Sequence, residues 1–389
     1  MSIIAPIRTA ARTAIPHALR GANDGPNVIR TIVSKAVLEA DPRLLGKLDP
    51  PLGGILPKGV AMRVADDGTR VMTVNVHMSV PAYQSLNDLG NESIDGLRDV
   101  ARFINSSNPD VVLVQELRSR PIEAARANGG LPDSASILAH LMQADDMAFT
   151  PALRQDPFST PLEHYGTAVY TRNGFRIDKS VNAVLPTSTP DVELRSIGLN
   201  AIIPPDERKP FSLMSTHLAS EERTDRLLKL PGHTSGELSE ALRTDQALRD
   251  AQLGVVGGWA DNLATGRPFS VEAAITGEQQ LVKGFPAGRV VVGGDFNQHQ
   301  RVTDPLLNPL GLTHVNDLFE RSGRATAQEL HDIDQATSLI ELIPSGRPHR
   351  IDHLYGRGME STNVSVGAAP KVESVLEPTD HSAVIADLV

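Results

Sequence analysis

The chain contains no cysteine, few aromatic residues and no long apolar run. The lack of cysteine excludes disulfides, thiolate nucleophiles and cysteine-bound zinc, so any metal site must use oxygen and imidazole ligands. Aromatic residues make up 4% of the 389 positions, so valine, isoleucine, leucine and alanine must form most of the core. Because no apolar run approaches the roughly 20 residues needed to cross a bilayer, we expect a soluble protein.

The balance of charge is acidic, with a formal net charge of −10. This disfavours a general nucleic-acid binder, because such proteins gain affinity by neutralising phosphates with lysine and arginine. A carboxylate-rich metal site would itself add negative charge, however, so the composition leaves a nucleic-acid substrate open.

The composition divides the chain into two parts. Residues 1–60 begin with an arginine-bearing, acid-free stretch that fits either a targeting segment or a flexible extension. Pro6 and Arg8 interrupt the apolar stretch that a Sec signal requires, so we expect a cytoplasmic protein or export by another route. A proline and glycine cluster at 50–57 marks the boundary, and residues 61–389 are predicted to form one domain.

Short β-type runs alternate with helical stretches in the second part. Several runs consist almost wholly of leucine and β-branched residues, which is typical of strands covered on both faces. Helical spacing of apolar residues predicts helices at Asp95–Ser106 and Ser235–Ala260, and the polar stretches 220–236 and 262–286 are predicted to be loops or insertions. The predicted strands are Val71–Met78, Asp110–Leu117, Thr167–Thr171, Ser196–Ile203, Phe211–Leu218, Arg289–Gly293, Arg350–Leu354 and Ser382–Val389.

Polar residues of the kind used in catalysis stand at the ends of several predicted strands. Carboxylates in such places are costly to desolvate unless they are paired or bind a metal. If neighbouring strands bring them to one sheet edge, they form a site for a hard cation such as Mg²⁺, which takes few protein carboxylates and keeps water and phosphate oxygens. The residues are Asn75, Glu116, His217, Asp295, Asn297, Asp352 and His381.

The segments around these residues, in this order, resemble the endonuclease/exonuclease/phosphatase superfamily with the DNase I-like fold. One string alone is a weak signal, whereas the whole series in family order is specific. The resemblance implies an α/β (α+β) fold, a four-layer αββα sandwich of two mixed sheets packed face to face with helices outside. The matching strings are TVNVHM, PDVVLVQEL, HYGTAVYTR, the strand opened by Arg195, LMSTHL, VVGGDFN, RIDHLYG and PTDHSAV.

The resemblance also implies a metal site and a means of activating water. Glu116 would be the principal ligand of Mg²⁺, with Mn²⁺ as an alternative ion. Asn75 would assist through metal-bound water or a substrate phosphate, and Asp380 would be a further ligand. Asp295 would position or deprotonate the attacking water, and Asn297 would hold that water or a phosphoryl oxygen.

Two imidazoles complete the site that the resemblance implies. His381 would donate hydrogen bonds to the phosphoryl group, oriented by Asp352, because a carboxylate partner fixes the tautomer of an imidazole. His217 would stabilise charge or protonate the leaving oxygen. Tyr165 and Arg195 occupy family-like positions and are candidates for substrate binding, with packing and a surface ion pair as the respective alternatives.

Two further features are a histidine outside the implied site and a spacing that departs from the family pattern. His353 is expected to face the opposite side of its strand from Asp352 and to be structural. The separation between His217 and Asp295 is longer than usual in the family, in keeping with the insertions near 220–236 and 262–286. A lid, a recognition loop and inert surface loops all remain open for them.

Two substrate classes fit this chemistry. The first is a nuclease, cleaving DNA or RNA phosphodiesters by in-line attack of an activated water; we favour it because the DNase-like motifs are intact. The second is a phosphatase or phosphodiesterase on inositol phosphates or phospholipid head groups, since the chemistry at phosphorus is shared. A non-catalytic binding module is disfavoured, because such a protein would have lost Glu116, Asp295 or His381. A zinc hydrolase is disfavoured because the sequence has no HExxH pair.

Overall fold

The computed structural model describes ten stretches of the chain. Within them, fourteen strands form two six-stranded mixed sheets and one small two-stranded sheet. No helix in these stretches has the length and apolar character needed to span a membrane. The described residues are 68–76, 94–119, 134–152, 164–187, 195–220, 222–228, 230–274, 277–325, 352–367 and 383–389.

The first sheet has the strand order β13-β14-β1-β2-β4-β3. Its two central strands, β1 and β2, are parallel, and the other pairs are antiparallel. Helices α1 (Ile94–Ser107) and α2 (Ser134–Met142) contribute apolar residues to one face of this sheet. The strands are β1 (Thr69–Asn75), β2 (Val111–Ser119), β3 (Asp146–Ala152), β4 (His164–Thr171), β13 (Ser361–Gly367) and β14 (Ala383–Leu388).

The second sheet has the order β11-β12-β10-β7-β6-β5, with β7 and β10 parallel. Its outer face is covered by the long helix α4, helix α5 and the β8–β9 hairpin, while the short helix α3 packs on α4. The strands are β5 (Arg176–Val184), β6 (Ser196–Ile203), β7 (Phe211–His217), β8 (Phe269–Glu272), β9 (Gln279–Val282), β10 (Val290–Asp295), β11 (Thr313–His314) and β12 (Asp352–Arg357). The helices are α3 (Glu222–Leu228), α4 (Ser235–Thr265), α5 (Gln300–Leu307), a 3₁₀ turn (Asn308–Leu310) and α6 (Val315–Arg321).

Three apolar layers hold these elements together. The central layer lies between the two sheets and includes Leu113 from the first sheet and Leu213, Val291 and Leu354 from the second. A second layer joins the first sheet to α1 and α2, and a third joins the second sheet to α4 and the hairpin. The order helix, sheet, sheet, helix confirms the predicted αββα sandwich.

Helix α4 begins and ends at clear local signals. The Thr234 hydroxyl accepts from the backbone N–H of Glu237 while the Glu237 carboxylate accepts from the N–H of Thr234, a complete capping box. Gly266, at φ 69°, closes the other end in the left-handed conformation. The predicted helix Ser235–Ala260 is therefore confirmed, and it continues to Thr265.

The two stretches predicted to be loops carry regular structure. Helix α3 lies within 220–236, where the backbone N–H and hydroxyl of Thr224 donate to the Asp245 carboxylate on α4. The hairpin β8–β9 lies within 262–286 and buries Val271 and Val282 in the outer core. The loop prediction is therefore wrong for both stretches, while their interpretation as insertions stays a prediction. The hairpin was not predicted because short strands with one exposed face have a polar average composition. The proposed boundary near residue 60 lies outside the described residues.

Candidate active site

Three strands of the second sheet bring polar residues to one edge. Asp295, the last residue of β10, is the Cα partner of His217 on one side and of Asp352 on the other. All three residues are buried. Alternation along the strands places Asp295 on the same face as Val291, which packs in the layer between the sheets. The polar cluster therefore lies at the rim of that layer.

Asn75 joins the cluster from the opposite sheet. Its side-chain amide nitrogen donates to Oε1 of Glu116 at 3.0 Å and to Oδ2 of Asp295 at 3.0 Å. Nε2 of His217 lies 3.8 Å from the same Glu116 oxygen and 3.6 Å from the same Asp295 oxygen. Four side chains from both sheets thus converge on one small volume, and one amide links the two carboxylates.

Glu116 owes its position to a bulge in β2. The pairing of β2 with β4 shifts register between Val114 and Leu117, so one extra residue is inserted into β2. Glu116 itself adopts φ 61°, a left-handed conformation that is uncommon for residues other than glycine and is concentrated at functional sites. Strict alternation from Leu113 would give the inner face to Gln115; the bulge re-aims Glu116 toward Asn75.

The turn after β10 fixes the orientation of the Asp295 carboxylate. The backbone N–H of Asn297 donates to Oδ1 of Asp295 at 2.8 Å, which leaves Oδ2 facing Asn75 and His217. Asn297 also has a positive φ, 49°, and its amide nitrogen donates to the carbonyl oxygen of Leu218 at 2.9 Å. The ends of β7 and β10 are therefore tied together directly behind the polar cluster.

The residue before Asp295 must be glycine. Gly294 has φ 143°, and a Cβ placed there would lie 1.8 Å from the carbonyl oxygen of Thr216 on β7. A side chain at this position would force apart the two strands that carry His217 and Asp295.

We expect Gly294→Ala to lower the free energy of unfolding by at least about 2 kcal/mol, from backbone strain and the contact with Thr216. Urea denaturation measures the loss. The matched control is Gly254→Ala in helix α4, where an added Cβ meets nothing within 4 Å and alanine is favoured by up to about 1 kcal/mol. Equal stability of the two variants would contradict the close approach of β7 and β10.

The donor atoms of the cluster fit a hard divalent cation. Glu116 and Asp295 each offer a carboxylate oxygen and His217 offers a ring nitrogen, and these atoms lie within 4.8 Å of one another. Oxygen-rich sets of this kind suit Mg²⁺ and Mn²⁺, whereas a structural zinc site needs four nitrogen or sulfur ligands. Asp295 and His217 are buried while Glu116 is partly exposed, so the cluster reaches solvent at Glu116.

The structure brings together five of the residues singled out in the sequence, namely Asn75, Glu116, His217, Asp295 and Asn297. Asp352 adjoins them through its pairing with Asp295, and Arg195 reaches Nδ1 of His217. Tyr165 lies in β4, and its side chain is outside the described part of the chain. Asp380 and His381 also lie outside the described residues, so their roles and the Asp352–His381 pairing stay predictions.

A buried histidine pair supports the turn that carries Asn297. The prediction for His353 is confirmed: it packs on the outer face of β12, and its Nε2 lies 2.8 Å from the carbonyl oxygen of Gln298. Its Nδ1 lies 3.2 Å from Nε2 of His314, and neither residue is exposed. No pattern in the sequence indicates this pair, because the two histidines meet only through the pairing of β11 with β12.

Comparisons with known proteins agree with this fold. A model of the Endonuclease/Exonuclease/phosphatase family matches residues 72–262, and no curated protein matches the chain. An endonuclease/exonuclease/phosphatase from Beutenbergia cavernae is 19% identical with a TM-score of 0.54, covering 83% of this chain and 71% of its own.

Two further solved structures share the fold at similarly low sequence identity. The mannosyl-6-phosphatase Bt3783 of Bacteroides thetaiotaomicron is 14% identical with a TM-score of 0.51, covering 82% of this chain and 99% of its own. TDP2 of D. rerio, complexed with a single-strand DNA product, is 15% identical with a TM-score of 0.50, covering 83% of this chain and 100% of its own. Residues 72–262 are thus identified with the endonuclease/exonuclease/phosphatase family, whose members are hydrolases that act on phosphoesters.

Proposed function

We propose that this protein is a Mg²⁺-dependent phosphodiesterase that cleaves nucleic acid by in-line attack of an activated water. The observation that carries the proposal is the meeting of Glu116, Asp295 and His217 around the Asn75 amide at the rim of two packed sheets. Phosphoryl transfer needs little covalent help from the protein. It needs stabilised charge on the equatorial oxygens and an oriented nucleophile, and this set of groups provides both.

The ion would be held by Glu116, with Asn75 beside it. When bound, Mg²⁺ or Mn²⁺ supplies positive charge that stabilises the phosphoryl oxygens and favours ionisation of water. The bulge that turns Glu116 inward serves this role, because it places the carboxylate within reach of the opposite sheet.

Asp295 is positioned to accept the proton of the attacking water. Its Oδ1 already accepts from the backbone N–H of Asn297, so Oδ2 is the oxygen that faces the cluster. A carboxylate held by a backbone hydrogen bond needs no reorientation at the moment of reaction, which is the condition for efficient general-base catalysis. Asn297 uses one amide hydrogen for Leu218 and, among the described residues, keeps the other for a phosphoryl oxygen.

The preference for nucleic acid rests on the intact series of DNase-like segments. The solved structures of the same fold include a sugar phosphatase and a DNA-bound enzyme, and at this level of identity they do not choose between substrate classes. Hydrolysis of inositol phosphates or phospholipid head groups is therefore the alternative outcome of the test.

We expect the full chain to nick supercoiled plasmid and to hydrolyse bis-p-nitrophenyl phosphate with Mg²⁺, and to lose at least about a hundredfold of this rate in EDTA. Excess Mg²⁺ should restore the rate. The assay should include RNA, inositol phosphates and phospholipids in parallel. Undiminished hydrolysis in EDTA would contradict the metal-dependent mechanism, and head-group release without plasmid nicking would establish the alternative substrate class.

A further inference from the structure

Arg195 contacts the candidate active-site histidine from behind. It directly precedes β6, and its Nη1 lies 3.2 Å from Nδ1 of His217, the last residue of the neighbouring strand β7. Both residues are 4% exposed. The contact is thus sheltered from solvent, and it lies on the side of the imidazole that faces away from Glu116 and Asp295.

The chemistry of the two groups decides where the imidazole carries its proton. A guanidinium group has five N–H donors and no acceptor, and it does not lose its charge in proteins. In the contact with Arg195, Nδ1 of His217 must therefore be the acceptor, with its lone pair directed at the cation. A neutral imidazole carries one ring proton, so that proton lies on Nε2.

The opposite side of the ring favours the same arrangement. Nε2 lies 3.6 Å from Oδ2 of Asp295 and 3.8 Å from Oε1 of Glu116. A proton on Nε2 is attracted by these two carboxylate oxygens, whereas a lone pair there would be repelled by them. The Arg195 donors at Nδ1 and the carboxylate acceptors near Nε2 therefore both favour the Nε2–H tautomer of His217.

We propose that Arg195 is a positioning residue that holds His217 in the Nε2–H tautomer, so that His217 is a hydrogen-bond donor and not a metal ligand. A metal ligand needs the lone pair of Nε2, which this tautomer does not offer. The cluster then divides into Glu116, which would hold the ion, Asp295, which would accept the proton of the attacking water, and His217, which would donate to a phosphoryl oxygen. This last role rests on the proposed function; the tautomer does not.

The tautomer is measured directly by ¹⁵N NMR of the labelled full chain, with His217→Gln used to assign the resonances. We expect Nδ1 of His217 to be unprotonated and Nε2 to be protonated, without Mg²⁺ and after its addition. A protonated Nδ1, or loss of the Nε2 proton when Mg²⁺ is added, would overturn the inference.

Two variants test the part played by Arg195. Arg195→Met removes the donors at similar length. Because the two carboxylates still attract the proton on Nε2, we expect a second proton on Nδ1, loss of the fixed ring orientation, and a fall in kcat of about 10- to 100-fold at little changed KM. Arg195→Lys keeps a cationic donor and should restore the tautomer and most of kcat. A higher KM with an unchanged tautomer would instead make Arg195 a substrate contact, and the positioning role would be wrong.

These readouts separate the inference from the proposed function. If no phosphoester is hydrolysed while His217 holds its proton on Nε2, the proposed function fails and the tautomer assignment stands. If hydrolysis is abolished by EDTA but Mg²⁺ displaces the Nε2 proton, the function stands and the inference fails. Should Arg195→Met not fold, the spectrum of the wild-type protein and of Arg195→Lys still decides the tautomer.

Discussion

Asp295→Asn is expected to lower kcat for phosphoester hydrolysis by at least about a thousandfold, which corresponds to about 4 kcal/mol in the barrier. The substitution keeps the shape of the side chain, and its remaining oxygen can still accept from the N–H of Asn297. It removes both the negative charge and the basic oxygen that faces Asn75 and His217. Asparagine also sets its own amide N–H against that of Asn75, so the two donors oppose each other.

Steady-state hydrolysis of bis-p-nitrophenyl phosphate with Mg²⁺ measures this loss, and far-UV circular dichroism with a thermal melt checks the fold. The control is Asp206→Asn in the loop between β6 and β7, at the opposite end of the sheet. Asp206 is half exposed and pairs with Arg208, whose hydrogen bonds lower the pKa of the Asp206 carboxyl. The control should retain wild-type kcat. A folded Asp295→Asn variant with wild-type kcat would remove Asp295 from the mechanism.

The sequence predicts the inner strands of both six-stranded sheets but none of their edge strands. The eight predicted strands correspond to the eight strands that have a neighbour on each side in the two six-stranded sheets. The other four strands of these sheets, β3, β5, β11 and β13, are their outermost strands, and the β8–β9 hairpin was also not predicted. Inner strands are covered on both faces, so their sequences are nearly continuous apolar runs. Edge strands carry polar residues, as Arg176–Val184 does with several exposed positions, so their composition resembles that of a loop.

The same limit applies to the candidate site. The sequence shows that polar residues follow the predicted strands. Because adjacent parallel strands bring such residues to one edge of a sheet, their meeting can be predicted. The conformation of Glu116 is not visible, because simple alternation assigns the inner face to Gln115 and only the pairing of β2 with β4 reveals the bulge. The contact between Arg195 and His217 is equally hidden, since it depends on the register of β6 against β7.

A buried ion pair joins the first described strand to the last. Arg70 on β1 and Asp387 on β14 are Cα partners, and the guanidinium donates from Nε and Nη2 to both carboxylate oxygens at 2.7 and 2.8 Å. Nη1 donates to the carbonyl oxygen of Ser107 at the end of α1, and Asn363 on β13 also donates to Asp387. Arg70 is 2% exposed and Asp387 is not exposed at all, so neither charge can be solvated by water if its partner is lost.

Asp387→Leu is therefore expected to lower the free energy of unfolding by about 3–5 kcal/mol, because the Arg70 guanidinium remains buried without a counter-charge. This is a large part of the roughly 5–15 kcal/mol that stabilises a typical protein. The double variant Arg70→Met with Asp387→Leu should recover at least half of the loss, since an apolar pair replaces both charges. Urea denaturation of the two variants and the wild type measures both values. Equal instability of the single and double variants would show that packing around the pair, and not the uncompensated charge, accounts for the loss.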